Sequence, residues 1–131
     1  MSGEAANEAH PFTIASDWHP AEHRLTFITK ELGDFTSTLR DRLAVGQRVT
    51  VEGPYGCFTF EDDRPIDIWI GDGIGMTPFI AAMGQIARAR EEQPHKNRHK
   101  EIFLFYATGT WSEEAIAKIK ALAEAAGVHL H

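Results

Sequence analysis

The sequence predicts an α/β protein whose second half is a parallel sheet with helices between its strands. From Ile66 onward, apolar strand patterns and amphipathic helix patterns alternate, as in parallel sheets joined by crossover helices. The part before Ile66 has β patterns and one short helix. A glycine-rich segment joins the first strand of the second half to its helix. We therefore expect a boundary between two units near residues 62–65.

The composition limits the functions open to this chain. Its 131 residues match one ordinary domain, and a formal net charge of −6 argues against nucleic-acid binding, which needs clustered Lys and Arg. The single cysteine, Cys57, cannot form an internal disulfide or hold an iron–sulfur cluster, which takes about four thiolates. No apolar run approaches the roughly 18–20 residues of a membrane span, and residues 1–9 do not resemble a signal peptide. We expect a soluble, cytoplasmic chain.

The first half carries β patterns around one helix. Residues 10–16 are of β type, residues 24–30 alternate between apolar and polar side chains, and residues 48–52 form another predicted strand. Between them, Phe35, Leu39 and Leu43 share one helix face. Asp34 or Thr36 is suited to cap the start of this helix, and Gly46 is suited to end it.

The second half has longer apolar patterns. Residues 66–70 and 102–106 predict strands that are covered on both faces, as is usual in parallel sheets. A helix is expected over residues 76–90, with Pro78 in its first turn. Ser112 is expected to cap a further helix that Gly127 ends, and residues 128–131 begin a third strand. The charged stretch 91–100 predicts a solvated loop.

The segment Gly71-Asp72-Gly73-Ile74-Gly75-Met76-Thr77-Pro78 has the context of a phosphate-binding loop. Glycines let the backbone approach a pyrophosphate, and the following helix offers free N–H groups and a partial positive charge. The ordinary Rossmann fingerprint would need a glycine where Met76 stands, and no Walker Gly-Lys-Ser/Thr follows. The alternative is a tight turn whose glycines serve packing.

Three motifs together resemble the ferredoxin–NADP reductase superfamily, and within it the ferric reductase and NADPH oxidase-like branch. These are His10-Pro11-Phe12-Thr13-Ile14, then Gly33-Asp34-Phe35-Thr36 with the later Val51-Glu52-Gly53-Pro54-Tyr55-Gly56, and finally Gly71-x-Gly73-x-Gly75-x-x-Pro78-Phe79. The resemblance implies hydride transfer from NADPH or NADH to FAD, followed by single-electron transfer onward. It also implies a fold made of part of an antiparallel flavin-binding β-barrel, followed by part of a doubly wound parallel-sheet nucleotide-binding domain.

The resemblance also assigns roles to residues. Phe12 would pack on the isoalloxazine ring, and Thr13, the catalytic candidate, would hydrogen-bond near the reactive flavin nitrogen. His10 would replace a phosphate-binding arginine. Thr108 would lie where the family selects NADPH over NADH, and because no arginine stands beside it the preference stays open. The expected cofactor-binding residues are His10, Pro11, Phe12, Thr13, Gly33, Phe35, Thr36, Gly71, Gly73, Ile74, Gly75, Met76, Thr77, Pro78 and Thr108.

By this comparison, residues 1–63 would be the C-terminal part of the FAD-binding barrel and residues 64–131 the N-terminal part of the NAD(P)-binding domain. We therefore expect a fragment of a longer enzyme, at the cytoplasmic face of a membrane, whose electron acceptor is a haem, iron or another protein. Unpaired strand edges would allow a homodimer. The incomplete flavin site predicts weak or no FAD binding and little NAD(P)H oxidation by this chain alone. Two alternatives remain: a soluble reductase component of an oxygenase or hydrogenase, and a non-catalytic dinucleotide-binding or interaction module.

Other candidate sites are weaker. His10, His19 and His23 lack a zinc-site spacing, and we expect no metal. His129 and His131 share one face of the last strand, and no spacing suggests a Ser/His/Asp set.

Overall fold

The computed structural model describes residues 9–60, 62–94, 100–110 and 112–131. Its strands are β1 (Ile66–Asp72), β2 (Glu101–Ala107) and β3 (His129–Leu130), and its α-helices are α1 (Asp34–Arg42), α2 (Thr77–Glu92) and α3 (Glu113–Ala126). The strands form one parallel sheet in the order β1-β2-β3. The predicted alternation of strand and helix from Ile66 onward is therefore confirmed.

Helices α2 and α3 pack together over one face of the sheet. The core lies between them and the strands, where Met83 and Leu104 are fully buried. Side chains alternate along a strand, so Trp69 enters this core while Ile68 and Ile70 on the opposite face are 66% and 74% exposed. The expectation that these strands are covered on both faces is wrong for the described residues, since both long helices lie on the same side.

The ends of the second-half helices follow the residues predicted for them. The Ser112 hydroxyl accepts a hydrogen bond from the Ala115 amide at 3.3 Å at the start of α3. Gly127 ends α3 in a left-handed conformation (φ 68°) that glycine adopts without steric cost. Pro78 lies in the first turn of α2. Helix α2 extends to Glu92, so the predicted loop begins later, and residues 95–99 of it lie outside the described part.

Helix α1 is shorter than the sequence predicts. It ends at Arg42, with Leu43 already extended. The Gln47 amide donates to the Ala44 carbonyl at 3.0 Å, which closes a separate turn. Gly46 lies in this turn with φ 85°, so it serves the turn and does not cap the helix.

The first half has little regular β structure. Ile14 and Phe27 form an isolated antiparallel bridge, and residues 24–30 are otherwise not a strand. Residues 48–52 are not a strand either, and Val49 and Val51 are 65% and 57% exposed. A strand needs a neighbour to pair its backbone groups, and the described residues provide none beside residues 48–52. The expected partial barrel is therefore not formed in the described part of the chain.

An aromatic cluster connects the two halves. Phe60, which precedes the sheet, lies 4.8 Å from Trp69 of β1 and 5.8 Å from Phe79 of α2, measured between ring centroids. The Trp69 and Phe79 rings stack at 5.2 Å. These contacts attach the end of the first half to the buried face of the sheet. None of the described helices has the length and apolarity to cross a membrane.

Candidate functional site

A cleft of about 320 Å³ lies between the first sequence motif and the glycine loop. This volume is near the lower end of the range for small-molecule sites. One wall comes from the first half and the other from the segment that leads into α2. The lining residues are Pro11, Phe12, Thr13, Ile28, Thr29, Lys30 and Thr36 on the first wall and Ile74, Gly75, Thr77 and Pro78 on the second. The structure thus brings together residues of all three predicted cofactor motifs.

The three glycines of the loop have different surroundings. A Cβ added to Gly71 would lie 3.2 Å from the Met76 sulfur and 3.4 Å from a Phe79 ring carbon, so this glycine permits core packing. Gly73 has φ 49°, a left-handed conformation that disfavours other residues. A Cβ added to Gly75 would meet no atom within 4 Å. Only Gly75 among the three both lines the cleft and leaves open space beside its backbone.

The loop residues therefore divide between core and cleft. Met76 is 2% exposed and belongs to the core cluster, so neither it nor Gly71 lines the cleft. Residues Gly73–Met76 form a short 3-10 helix that leads directly into α2. The Thr77 hydroxyl donates to the Ile74 carbonyl at 3.1 Å across this junction. The sequence motif predicts that Gly71, Gly75 and Met76 all bind the cofactor. In the structure Gly71 and Met76 pack in the core, and only Gly75 lines the cleft.

The cleft is suited to an anionic ligand. The 3-10 helix Gly73–Met76 and the first turn of the 16-residue helix α2 border it, and the start of a helical segment has a partial positive charge. The Thr77 amide already donates to the Ile74 carbonyl and Pro78 has no N–H, so the N–H groups without an intrahelical partner belong to the preceding 3-10 helix. Among the described residues that line the cleft, Lys30 is the only charged one. Helix end and lysine both favour a phosphate or carboxylate.

The first motif offers an aromatic surface. Phe12 is 39% exposed and lines the cleft, with its ring 6.2 Å from Phe27 and 6.3 Å from Phe35. Thr13 lies beside it in the same wall. His10 is not in the wall, because its ring stacks on Phe35 at a centroid distance of 3.5 Å. The Arg42 guanidinium carbon lies 5.9 Å from the centre of the Phe35 ring, which places a positive charge beside that ring.

The start of α1 also borders the cleft. The Thr36 hydroxyl oxygen accepts hydrogen bonds from the Gly33 and Leu32 amides at 3.2 and 3.0 Å. Thr36 thereby fixes the entry of the chain into the helix, and its side chain reaches the cleft wall. Gly33 and Phe35 lie next to this wall without lining it.

Thr108 lies apart from the cleft. It directly follows β2, and the end of that strand is in register with Asp72 of β1. Its hydroxyl donates to the Thr110 carbonyl at 3.0 Å and accepts from the Thr110 amide at 3.2 Å. The carboxyl ends of β1 and β2 are neighbours, so Thr108 is placed at the same sheet edge as the loop.

Three of the residues that line the cleft were not predicted as site residues, namely Ile28, Thr29 and Lys30. They reach the cleft because the bridge between Ile14 and Phe27 places the segment after Phe27 beside the first motif. A hairpin pairing of the two β patterns would have indicated this. Within the described residues there is no group of three or more His, Cys, Asp or Glu that could hold a metal ion.

Known proteins are similar to this chain in the part that forms the first wall of the cleft. Residues 4–59 match a protein family described as an FAD-binding domain. Ferric reduction oxidase 5 of Arabidopsis thaliana is 33% identical over 81 residues, which is 59% of this chain and 12% of that protein. The reductase component of propane 2-monooxygenase from Gordonia sp. (strain TY-5) is 35% identical over 74 residues, 54% of this chain and 21% of that protein.

A longer match includes the second wall. Dual oxidase 1 of Caenorhabditis elegans is 27% identical over 113 residues, 79% of this chain and 7% of that protein. Since 79% of 131 residues is about 103, any continuous stretch of that length contains residues 71–78. The matches confirm the resemblance to the ferric reductase and NADPH oxidase-like branch. The chain spans only a small part of the length of each of these relatives.

Proposed function

We propose that this chain, which resembles the ferric reductase and NADPH oxidase-like flavoproteins, holds the junction at which NADPH or NADH transfers hydride to FAD. The observation that supports this proposal is the cleft, whose walls are formed by the flavin-type motif and by the glycine loop. Hydride transfer requires the two reacting rings to be in contact, at about 3–3.5 Å between reacting atoms. A cleft shared by both motifs is the arrangement that this chemistry needs.

The lining residues suggest how each cofactor would be held. Phe12 presents a half-exposed ring to a flavin, and the Thr13 hydroxyl beside it is available to a flavin nitrogen. The α2 N-terminus and the open backbone at Gly75 suit the pyrophosphate of the nicotinamide dinucleotide. Lys30 adds positive charge to the first wall. FAD, when bound, supplies the capacity to accept hydride and release single electrons, and the residues of this chain supply orientation and electrostatics.

The wider context is part of the same proposal. Residues 1–63 would contribute to an FAD-binding unit and residues 64–131 to an NAD(P)-binding unit. The whole protein would pass electrons to a haem, to ferric iron or to another acceptor at the cytoplasmic face of a membrane. The name of the Arabidopsis relative, a ferric reduction oxidase, supports this acceptor class. Unpaired backbone edges in the first half would allow two copies to associate.

The proposal is tested by titrating the chain with FAD, NADH and NADPH, followed by a stopped-flow measurement of flavin reduction. Gly75→Asp places a carboxylate where the pyrophosphate would lie, so it should weaken dinucleotide binding by at least about tenfold, equivalent to about 1.4 kcal/mol. Gln85→Asp adds the same charge at an exposed position of α2 away from the cleft and should leave binding unchanged. Equal affinities in the wild type and Gly75→Asp would contradict the proposal.

A second candidate is a reductase component of an oxygenase, favoured by the 35% identity to the propane 2-monooxygenase reductase component. It would use the same cofactors with a protein acceptor. The upstream reading frame separates the two: apolar spans with spaced histidines support the membrane reductase, and a ferredoxin-type cysteine set supports the oxygenase component. Dinucleotide binding without flavin reduction would instead support the non-catalytic module.

A further inference from the structure

Helix α2 carries a stripe of three residues that faces the first half of the chain. Gly84, Arg88 and Glu92 are four residues apart and so share one helix face. The Arg88 Nε atom donates to an Asp17 carboxylate oxygen at 2.6 Å, and an Nη atom lies 2.9 Å from a Glu22 carboxylate oxygen. One guanidinium group thus joins α2 to two points of the segment that follows the first motif.

The neighbouring positions of the stripe support the same contact. A Cβ added to Gly84 would lie 3.2 Å from an Asp17 carboxylate oxygen, so the small residue permits this close approach. One turn further, the His19 ring nitrogen lies 3.9 Å from a Glu92 carboxylate oxygen. The pKa of Arg88 is raised above its ordinary value, chiefly because its side chain donates to Asp17, and the guanidinium of an arginine is charged at any working pH.

The segment held by Arg88 continues directly into the first wall of the cleft. Asp17 follows Thr13 by four residues. The Ala15 amide donates to the Thr26 carbonyl at 2.8 Å, and the Thr26 amide donates to the Ser16 hydroxyl at 3.0 Å. These bonds connect the held segment to the chain that leads to Lys30 in the same wall.

The other wall is at the beginning of the same helix. Arg88 lies eleven residues after Thr77, which is about 16 Å along a helix at 1.5 Å per residue. An α-helix of this length is stiff, so the position of its start is coupled to the position of Arg88. A contact at Arg88 therefore constrains both walls of the cleft.

We propose that Arg88 is a positioning residue that fixes the first wall of the cleft against the second through Asp17 and Glu22. Without this contact the segment around Asp17 and Glu22 is held less firmly against α2, and the width of the cleft varies more. The effect on cofactor binding rests on the proposed function, whereas the effect on the distance between the walls does not.

The contact differs from ordinary surface ion pairs. Lys118 and Glu114 on α3 have the same 2.6 Å separation, but their side chains are 75% and 78% exposed and lie four residues apart. Exposed pairs of this kind contribute little. The side chains of Arg88 and Asp17 are 30% and 19% exposed, and 71 residues separate them. Lys118→Met is therefore a matched control, because it removes an ion pair of equal length that does not connect the two halves of the chain.

The first measurement uses no cofactor. Spin labels are attached at Glu31→Cys, next to the first wall, and at Lys120→Cys on α3, both exposed positions, in a Cys57→Ser background. Electron–electron resonance then gives the distribution of distances between the labels. Arg88→Met should broaden this distribution about twofold as a single arrangement becomes a mixture, and Lys118→Met should not. An unchanged distribution in Arg88→Met would overturn the proposal.

Asp17→Asn provides a second variant that keeps α2 intact, and it replaces Arg88→Met if that protein does not fold by circular dichroism. The double variant should be no broader than Arg88→Met alone, because Arg88→Met already removes the contact with Asp17. Asp17→Asn alone keeps the contact between Arg88 and Glu22 and should broaden the distribution less. Arg88→Lys keeps the charge but loses the forked geometry and should give an intermediate width. A double variant with an additive effect would also overturn the proposal.

The second measurement is FAD affinity. We expect Arg88→Met to bind FAD about tenfold more weakly, Arg88→Lys to recover part of this loss, and Lys118→Met to match the wild type. If Arg88→Met has a broadened label distribution but binds FAD as tightly as the wild type, the contact at Arg88 does not affect cofactor binding in the cleft, and that part of the proposal is wrong. If the wild type binds neither NADH nor NADPH while the distributions change as expected, the proposed function fails and the positioning role stands.

Discussion

The substitution Gly75→Ala distinguishes two interpretations of residues 71–78, a phosphate-binding loop and a tight turn whose glycines serve packing. In the free protein an added Cβ at Gly75 meets no atom within 4 Å, and the backbone is not left-handed. An alanine there should stabilise the fold by about 0.4–1 kcal/mol, since it restricts the unfolded chain. For a chain of this size that raises the Tm by about 1–5 °C.

The same methyl group should weaken dinucleotide binding. It fills the space that a pyrophosphate oxygen would occupy beside the α2 N-terminus, and inserting a methyl group into a filled site costs about 1–3 kcal/mol. The dissociation constants for NADH and NADPH, measured by calorimetry, should therefore rise about tenfold or more. Gln85→Ala, at an exposed position of the same helix, adjusts helix propensity without reaching the cleft and should change neither constant.

Two results would refute this reasoning at different points. A Gly75→Ala protein with unchanged affinity for both dinucleotides would show that no phosphate lies at this position. A lower Tm in Gly75→Ala than in the wild type would show that the space beside Gly75 is not open in the free protein.

Three other substitutions test the packing and the charges. Gly71→Ala should lower stability by about 1–3 kcal/mol in thermal unfolding, because its methyl group would crowd the core. Met83→Ala, at a fully buried position, should cost about 2–5 kcal/mol in urea unfolding. The pKa of Asp62 is lowered, chiefly because Lys100 Nζ donates to it at 2.6 Å. The resulting stability is present above the unfolded-state value of about 3.9 and is lost as the pH falls through the lower folded-state value. Asp62→Asn should therefore be less stable than wild type at neutral pH, and the difference in urea midpoints should disappear in acid.

The second half of the fold was predictable because its signals are local. The stripe of α2 repeats every three to four residues, and Ser112 and Gly127 mark the ends of α3 through contacts within a few positions of each residue. The first half was not predictable in the same way. Alternation around Val49 and Val51 indicates extended backbone, but a strand also requires a partner, and partners are set by contacts distant in sequence.

The candidate site shows the same division. Spacing in the sequence identifies three glycines and treats them alike, whereas the fold assigns Gly71 to the core and Gly75 to the cleft. That difference depends on Met76 and Phe79 occupying the space beside Gly71, which glycine spacing does not encode. Lys30 was missed because it is distant in sequence from the first motif. The antiparallel bridge between Ile14 and Phe27 brings it beside that motif in space.

The cleft depends on α2 more than on regular β pairing in the first half. This helix begins at the glycine loop. Its Phe79 ring contacts the rings of Phe60 and Trp69, and its Arg88 side chain contacts Asp17. The contacts of Phe79 and Arg88 attach two different parts of the first half to this one stiff element. The walls can therefore keep a defined separation although residues 48–52 have no strand partner among the described residues. Ligand affinity should consequently respond more to substitutions on the buried stripes of α2 than to substitutions in residues 48–52.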